Sequence, residues 1–112
     1  MNLSLGIPLS IWYDWHDDGA DPKDPEAHFG TVTWAYQPKP AYHEIQRLVA
    51  ALKGKRFTRR LPSDPADYLL VFSNGPEQAL AAWTTGPAHT ISLPSGQSLA
   101  LTSTPVYQTY QP

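Results

Sequence analysis

The chain has 112 residues, of which 41% are hydrophobic and 16% charged, with a formal net charge of −2 at pH 7 and no cysteine. This length is enough for one domain with one modest core, because domains usually contain ~100–150 residues. The nearly balanced charge argues against non-specific nucleic-acid binding, and the absence of cysteine excludes a disulfide scaffold, a thiolate nucleophile and a cysteine-ligated metal.

The first predicted element is a buried β-strand over residues 7–15. Its sequence is rich in β-branched and aromatic residues, and apolar residues lie on both alternating faces in part of the run. This pattern is typical of a strand that is covered on both sides, as in a parallel sheet or a barrel. A polar loop follows over residues 16–26, where Asp-Gly and Asp-Pro steps favour turns. Loops that follow buried strands are usual places for ligand contacts.

One helix is predicted over residues 40–53. Apolar residues at positions 41, 45, 48, 49 and 52 form a single stripe, which indicates a helix that packs on one side. Pro40 fits the first helical turn, where its missing N–H does no harm, and Gly54 is a natural stop just after the last turn.

Residues 55–112 predict a series of short strands separated by turns. Turn signals recur every 8–12 residues, which is typical of a small β-sandwich or barrel. The predicted strands are 57–61, 68–72, 79–84, 89–93, 97–102 and 106–110. The sequence therefore predicts a mainly β (α+β) chain in which one strand and one helix over residues 1–54 precede a small antiparallel β-sandwich over residues 55–112, packed as one unit.

The acidic loop is the densest polar cluster and has two chemical interpretations. In the EF-hand calcium template Asp14, Asp18 and Gly19 fit, but the third position is His16 and the twelfth is Pro25. A solvated turn with local hydrogen bonds explains the acids better, so we expect no metal and no cofactor. A glycosidase needs two carboxyl groups ~5–9.5 Å apart on rigid elements. Nearly all these acids share one flexible loop, so we expect no complete catalytic pair among them.

Aromatic residues are concentrated around the same loop. Trp12, Tyr13, Trp15 and Trp34 lie close to it in sequence. Sugar rings stack their C–H faces on indole while their hydroxyl groups find nearby acceptors, so tryptophans beside carboxylates indicate carbohydrate binding. The alternative is that these rings belong to the core. Trp83, which lies inside a predicted strand, is expected in the core.

Three segments carry a family resemblance. Residues 8–19 read PLSIWYDWHDDG, residues 26–30 read EAHFG and residues 39–42 read KPAY. They resemble the end of a clan A glycoside hydrolase of the family 5 or family 39 kind, where the last strand of a (β/α)8 barrel, the following loop and the final helix carry such segments. Many of these enzymes then append a small β-sandwich, which residues 55–112 resemble in length and in their series of short strands separated by turns.

The resemblance implies a substrate-contact role and no catalytic residue. A (β/α)8 barrel takes ~250 residues, and the acid/base and nucleophile glutamates of clan A lie at the ends of its fourth and seventh strands, ahead of the part that resembles this chain. What carries over is contact with a sugar by Trp12, Asp14 and Trp15 at the end of the last strand. The parent enzyme is expected to be bacterial and secreted or periplasmic.

We therefore expect an accessory module of a glycoside hydrolase that binds β-glycan weakly through Trp12, Trp15 and Trp34 and has no turnover alone. The alternatives are an active enzyme that uses Asp14, His16 and Asp17, and a purely structural β-sandwich. Without a barrel sheet, strand 7–15 and the helix either pack on the β-sandwich or associate with another copy of the chain. A membrane is not expected as a partner, because no apolar stretch approaches the ~20 residues that cross a bilayer. Nucleic acid is not expected either, because the charge of the chain is nearly balanced.

Overall fold

The computed structural model describes residues 1–112 and divides the chain into two compact units. The first, called the β unit here, comprises Met1–Ile7 and Ala51–Pro112. The second, the loop–helix unit, comprises Pro8–Ala50. The chain is mainly β with one helix and antiparallel sheets, which confirms the predicted fold class.

Six strands form the β unit, and all six were predicted. They are β1 (Arg56–Arg60), β2 (Asp67–Asn74), β3 (Glu77–Thr84), β4 (His89–Ser92), β5 (Ser98–Leu101) and β6 (Val106–Thr109). Strands β1, β2, β3 and β6 form a four-stranded antiparallel sheet in the order β1-β2-β3-β6, and β4 and β5 form a separate hairpin. The turn between β2 and β3 contains Gly75, whose φ of 59° lies in the left-handed region that favours glycine.

Two apolar clusters lie on the two faces of the four-stranded sheet, because successive residues of a strand point to opposite sides. On one face, Leu69, Val71 and Leu80 pack with the hairpin residues Leu99 and Leu101. On the other face, a second cluster contains Leu52, Leu70, Phe72, Ala79 and Ala81. The sheet and the hairpin therefore enclose a core of their own.

The helix α1 (Pro40–Leu52) begins at Pro40 and is followed by Gly54 with a φ of 74°, as the sequence predicted. The apolar stripe of its first three turns is open to solvent: Ile45 is 43% exposed, Leu48 39% and Val49 51%. The helix falls short of the length and apolar character that a membrane span requires.

The predicted buried strand over residues 7–15 does not form. The segment makes no ladder, and its large apolar residues are exposed, Ile11 to 86%. Its C-terminal end instead hydrogen-bonds to residues 29–32: Asp14 N–H donates to Phe29 O, Thr31 N–H to Asp14 O and Val32 N–H to Trp15 O. A lone strand has no partner for its rows of N–H and C=O groups, and the chain contains no other strand before β1.

The loop–helix unit buries very little apolar surface. Its only buried apolar residues are Ala27 and Val32. The large apolar side chains that it exposes are Leu9, Ile11, Trp12, Tyr13, Trp15, Phe29, Trp34, Tyr36, Ile45, Leu48 and Val49. Hydrogen bonds between its loops, rather than a hydrophobic core, thus hold this unit in shape.

Candidate functional site

The loop–helix unit carries a surface cluster of four rings, formed by Trp15, His16, Trp34 and Tyr36. The imidazole of His16 stacks on Tyr36 with 4.3 Å between ring centroids, and it lies 5.7 Å from Trp15 and 5.6 Å from Trp34. Nε2–H of His16 donates to Trp34 O at 3.1 Å. The two predicted tryptophans Trp15 and Trp34 are therefore brought together through His16. Tyr36 was not singled out in the sequence, although an aromatic residue two places after Trp34 was a usable signal.

The loop that carries Trp34 and Tyr36 has a defined backbone. Thr33 N–H donates to Gln37 O at 2.8 Å, and Tyr36 N–H donates back to Thr33 O at 2.9 Å. The hydroxyl oxygen of Thr33 also accepts from Gln37 N–H. Tyr36 has a φ of 60°, a left-handed conformation that costs a non-glycine residue about 1–2 kcal/mol. The hydrogen bonds of the loop hold Tyr36 in this conformation, with its ring against His16.

The other two predicted contact residues, Trp12 and Asp14, are held differently. The indole N–H of Trp12 donates to Phe29 O at 3.2 Å, and the side chain of Trp12 is 63% exposed. Asp14 is half-buried, and its Oδ1 is buried without a hydrogen-bond partner. The peptide bond between Tyr13 and Asp14 is cis. Trp12 thus offers an exposed ring face, and Asp14 carries an unused acceptor.

A buried carboxylate, Asp17, fixes the loops behind the ring cluster. Its side chain is almost completely buried, and Oδ1 accepts from Lys39 Nζ at 2.6 Å and from Gly30 N–H at 2.9 Å. Oδ2 accepts from Nδ1–H of His28 at 3.3 Å. Nε2–H of His28 in turn donates to Asp21 O at 2.7 Å, so both ring nitrogens of His28 act as donors.

These contacts shift the pKa values of Asp17 and His28 in opposite directions. The hydrogen bond from Lys39, with further bonds from His28 and Gly30, lowers the pKa of the Asp17 carboxyl. The hydrogen bond to Asp21 O, followed by the one to Asp17, raises the pKa of the His28 imidazole. A charged Asp17 between Lys39 and a protonated His28 is therefore the favoured state of this cluster.

Gly30 allows two backbone segments to approach each other closely. A Cβ at this position would lie 2.3 Å from the Asp17 nitrogen and 2.4 Å from the His16 carbonyl carbon. Both are backbone atoms, which cannot move aside as the end of a flexible side chain can. The requirement at Gly30 is therefore steric, and it keeps the Asp17 carboxylate within reach of the Gly30 N–H.

The remaining acids of the loop make local turns rather than a reactive group. Asp21 Oδ1 accepts from Lys23 N–H at 2.9 Å, and Asp24 Oδ1 accepts from Glu26 N–H at 3.0 Å. No three His, Asp or Glu side chains of the chain are arranged to hold a metal ion. Of the residues in the alternative enzyme hypothesis, Asp17 is bound to Lys39 and His16 to Trp34. Asp17, Asp21 and Asp24 therefore use their carboxylates for the structure of the loop itself.

Comparison with known proteins finds similarity to a solved structure. No protein-family model matches the sequence, and no curated protein matches it. A solved structure of a family 39 glycoside hydrolase from the gut symbiont Bacteroides cellulosilyticus WH2 is similar over 89% of this chain, with a TM-score of 0.76 and 25% identity. The match covers 26% of the length of that enzyme. The chain therefore resembles, in fold and in sequence, a part of a family 39 glycoside hydrolase.

Proposed function

We propose that this chain is the C-terminal part of a clan A glycoside hydrolase. Residues 1–54 correspond in this proposal to the last strand, loop and helix of a (β/α)8 barrel, and residues 55–112 to an accessory β-sandwich. The similarity to part of a family 39 enzyme supports this assignment. So do the KPAY segment at the start of α1 and the tryptophan-rich segment before the acidic loop.

The observation that carries the proposal is the exposed apolar surface of the loop–helix unit. Ile45, Leu48 and Val49 lie on one stripe of α1 and are all exposed. Burial of one such side chain contributes about 1.5–3 kcal/mol, so a stable protein rarely leaves a whole stripe in water. In a (β/α)8 barrel this stripe packs on the sheet, and a segment such as residues 7–15 has a parallel neighbour on each side.

The proposed role of the loop–helix unit is contact with a β-glycan. Trp12, Trp15 and Trp34 present exposed rings on which sugar faces can stack, and the buried Oδ1 of Asp14 is an acceptor without a partner. A few exposed rings give weak binding, because only a small contact area offsets the cost of association. We therefore propose weak β-glycan binding by the chain, with the sugar specificity supplied by the rest of a barrel.

We propose that the 112 residues have no turnover by themselves. The chain has three glutamates, and two of them are in ion pairs: Glu44 lies 2.6 Å from Arg47, and Glu77 lies 3.6 Å from Lys55. The third, Glu26, is in the acidic loop. A glycosidase needs two carboxyl groups on facing rigid elements, and we propose that these glutamates do not supply such a pair.

Titration calorimetry with soluble cello- and xylo-oligosaccharides tests the binding proposal. We expect weak binding that Trp15→Ala reduces by up to ~tenfold, because one aromatic contact contributes about 0.5–1.5 kcal/mol. Trp83→Phe is the matched control, since Trp83 stacks on Tyr68 within the β unit. A flat trace with every sugar would support a purely structural module instead. Release of reducing sugar that is lost on Asp14→Asn would support the enzyme alternative.

A further inference from the structure

The β unit contains a cleft of about 360 Å³ between the loop that joins β1 to β2 and strand β4. Its walls are mostly aliphatic and include Leu61, Ile91 and Leu93. Three ionisable groups, Asp64, Asp67 and His89, lie along it. A mostly apolar cleft of this size with a few convergent polar groups is typical of a small-molecule site.

Asp67, at the start of β2, is 2% exposed, yet only half of its carboxylate is satisfied. Oδ2 accepts from Nε2–H of His89 at 3.0 Å, whereas Oδ1 is buried and accepts no hydrogen bond. A buried carboxylate oxygen without a donor is unfavourable, so a molecule that brings an N–H group to it gains a charge-assisted hydrogen bond. The last torsion of an aspartate side chain is broad, so a modest rotation turns Oδ1 toward such a donor.

The geometry of His89 excludes a hydrolytic Asp–His pair here. Nδ1–H of His89 donates to Pro87 O at 3.0 Å while Nε2–H donates to Asp67, so neither ring nitrogen is left to act as a base. With an ionised Asp67 as acceptor, the two hydrogen bonds use both N–H groups of the protonated ring, whose charge then compensates Asp67. The role left for the pair is to hold a ligand rather than to transfer a proton.

Charged groups of both signs lie along the cleft and beside it. His89 compensates Asp67, which leaves Asp64 as the uncompensated ionisable group of the lining. The nearby cation on β1, Arg60, donates to the backbone oxygens of Pro65 and Asp67 and lies over the Tyr68 ring. Arg60 keeps its positive charge in these contacts, because both acceptors are neutral carbonyl oxygens. The unused Oδ1 of Asp67, rather than a net charge of the cleft, therefore favours a ligand with charged N–H donors.

We propose that this cleft binds a small primary ammonium compound with a compact apolar body. The apolar body packs against Leu61, Ile91 and Leu93, and the ammonium donates to Asp67 Oδ1 near the carboxylate of Asp64. This site shares no residue with the exposed rings of the loop–helix unit. The ammonium site can therefore be tested independently of the proposed β-glycan binding.

Benzylamine is a suitable probe, with benzyl alcohol and benzoate as neutral and anionic analogues of the same shape. In NMR titrations of the full chain, benzylamine at millimolar concentration should shift the Ile91 and Leu93 methyl signals and the His89 ring signals. Its apparent affinity should exceed that of benzoate by roughly tenfold or more, the effect of one charge-assisted hydrogen bond. Equal affinities for benzylamine and benzoate, or no shift with benzylamine, would overturn the proposal.

Two variants separate the site from the fold. Asp64→Asn, at an exposed position, should weaken benzylamine binding several-fold without changing the unfolding midpoint. Asp67→Asn should weaken it further, although loss of the His89 pair also lowers stability, so its native methyl spectrum is checked first. Asp24→Asn, in the loop–helix unit, is the control and should leave the affinity unchanged. Binding that is unaffected by Asp64→Asn would count against the ammonium site.

Discussion

Nζ of Lys39 lies 2.6 Å from Oδ1 of Asp17, which pairs the one buried acid of the loop–helix unit with a cation 22 residues further along the chain. The same Nζ donates to His28 O at 3.1 Å. Because this unit has almost no apolar core, the ion pair and its hydrogen bonds are the main links between the loop around Asp17 and the segment that leads into α1. Loss of this ion pair should therefore destabilise the whole loop–helix unit.

We expect Lys39→Met to loosen the loop–helix unit, because it removes the closer of the two cationic partners of the buried Asp17 carboxylate. Amide exchange of Asp17 and Gly30 should become faster by roughly tenfold or more, as the local opening free energy falls. Hydrogen exchange followed by NMR measures this effect. Lys23→Met, at an exposed lysine of the same loop, is the control. Similar exchange in both variants would show that the ion pair adds no stability.

The stability of this unit should be greatest between about pH 4 and pH 6.5, the ordinary pKa values of Asp and His. The lowered pKa of Asp17 contributes stability that is present above about pH 4 and is lost as the pH falls through its folded value. The raised pKa of His28 contributes stability that is present below about pH 6.5 and is lost as the pH rises through its folded value. Amide exchange at Asp17 across the pH range measures the loss of stability on the acid side and on the alkaline side, called the acid limb and the alkaline limb here.

The alkaline limb can be assigned with a variant. His28→Gln should remove the decline above about pH 6.5 and keep the acid decline, since Asp17 still binds Lys39. His43→Gln, which changes an exposed histidine of α1 outside this cluster, should keep both limbs. An alkaline decline that persists in His28→Gln would assign it to another group.

We expect Gly30→Ala to destabilise the loop–helix unit by about 1–3 kcal/mol or more, because the new Cβ overlaps backbone atoms of His16 and Asp17. Gly19→Ala is the matched control: its Cβ would meet only the Ala27 Cβ at 3.4 Å, an ordinary contact. Urea unfolding followed by tryptophan fluorescence compares the two. Equal midpoints would mean that the segments can separate at little cost.

The exposed stripe of α1 should make the chain associate with itself or bind apolar dyes. In light scattering after size exclusion, the chain at micromolar concentration should be larger than a monomer, and Ile45→Glu with Val49→Glu should reduce its size and its binding of an apolar fluorescent dye. Gln46→Glu adds charge to the same helix away from the stripe and should have little effect. A clean monomer that binds no dye would contradict the proposal that the apolar stripe of α1 is normally buried against another surface.

The sequence predicted the β unit well and the loop–helix unit only in part. The six strands were recognisable because each is short and bounded by Gly, Pro, Asn or Ser turns, as at Gly75 and Gly96. The segment 7–15 reads as a buried strand because its composition suits neighbours on both sides. Secondary structure depends on those neighbours, and these 112 residues contain none for it.

The site was predicted at the level of residue types but not of contacts. Trp15 and Trp34 were singled out, and they do lie around one histidine. Asp17 was not distinguishable from Asp18 in the sequence, because its burial depends on Lys39, 22 residues away. Local patterns carry no information about such a pair, whereas the repeated spacing of strands does appear within a short window.

The absence of a side chain at Gly30 has a practical consequence for mutational libraries over residues 8–50. Random substitution of Gly30 would make most of the variants at this position fail for steric reasons alone, before any effect on sugar recognition is visible. Screens that vary the exposed rings Trp12, Trp15 and Trp34 while keeping residue 30 constant would report on ligand affinity rather than on whether the polypeptide holds together.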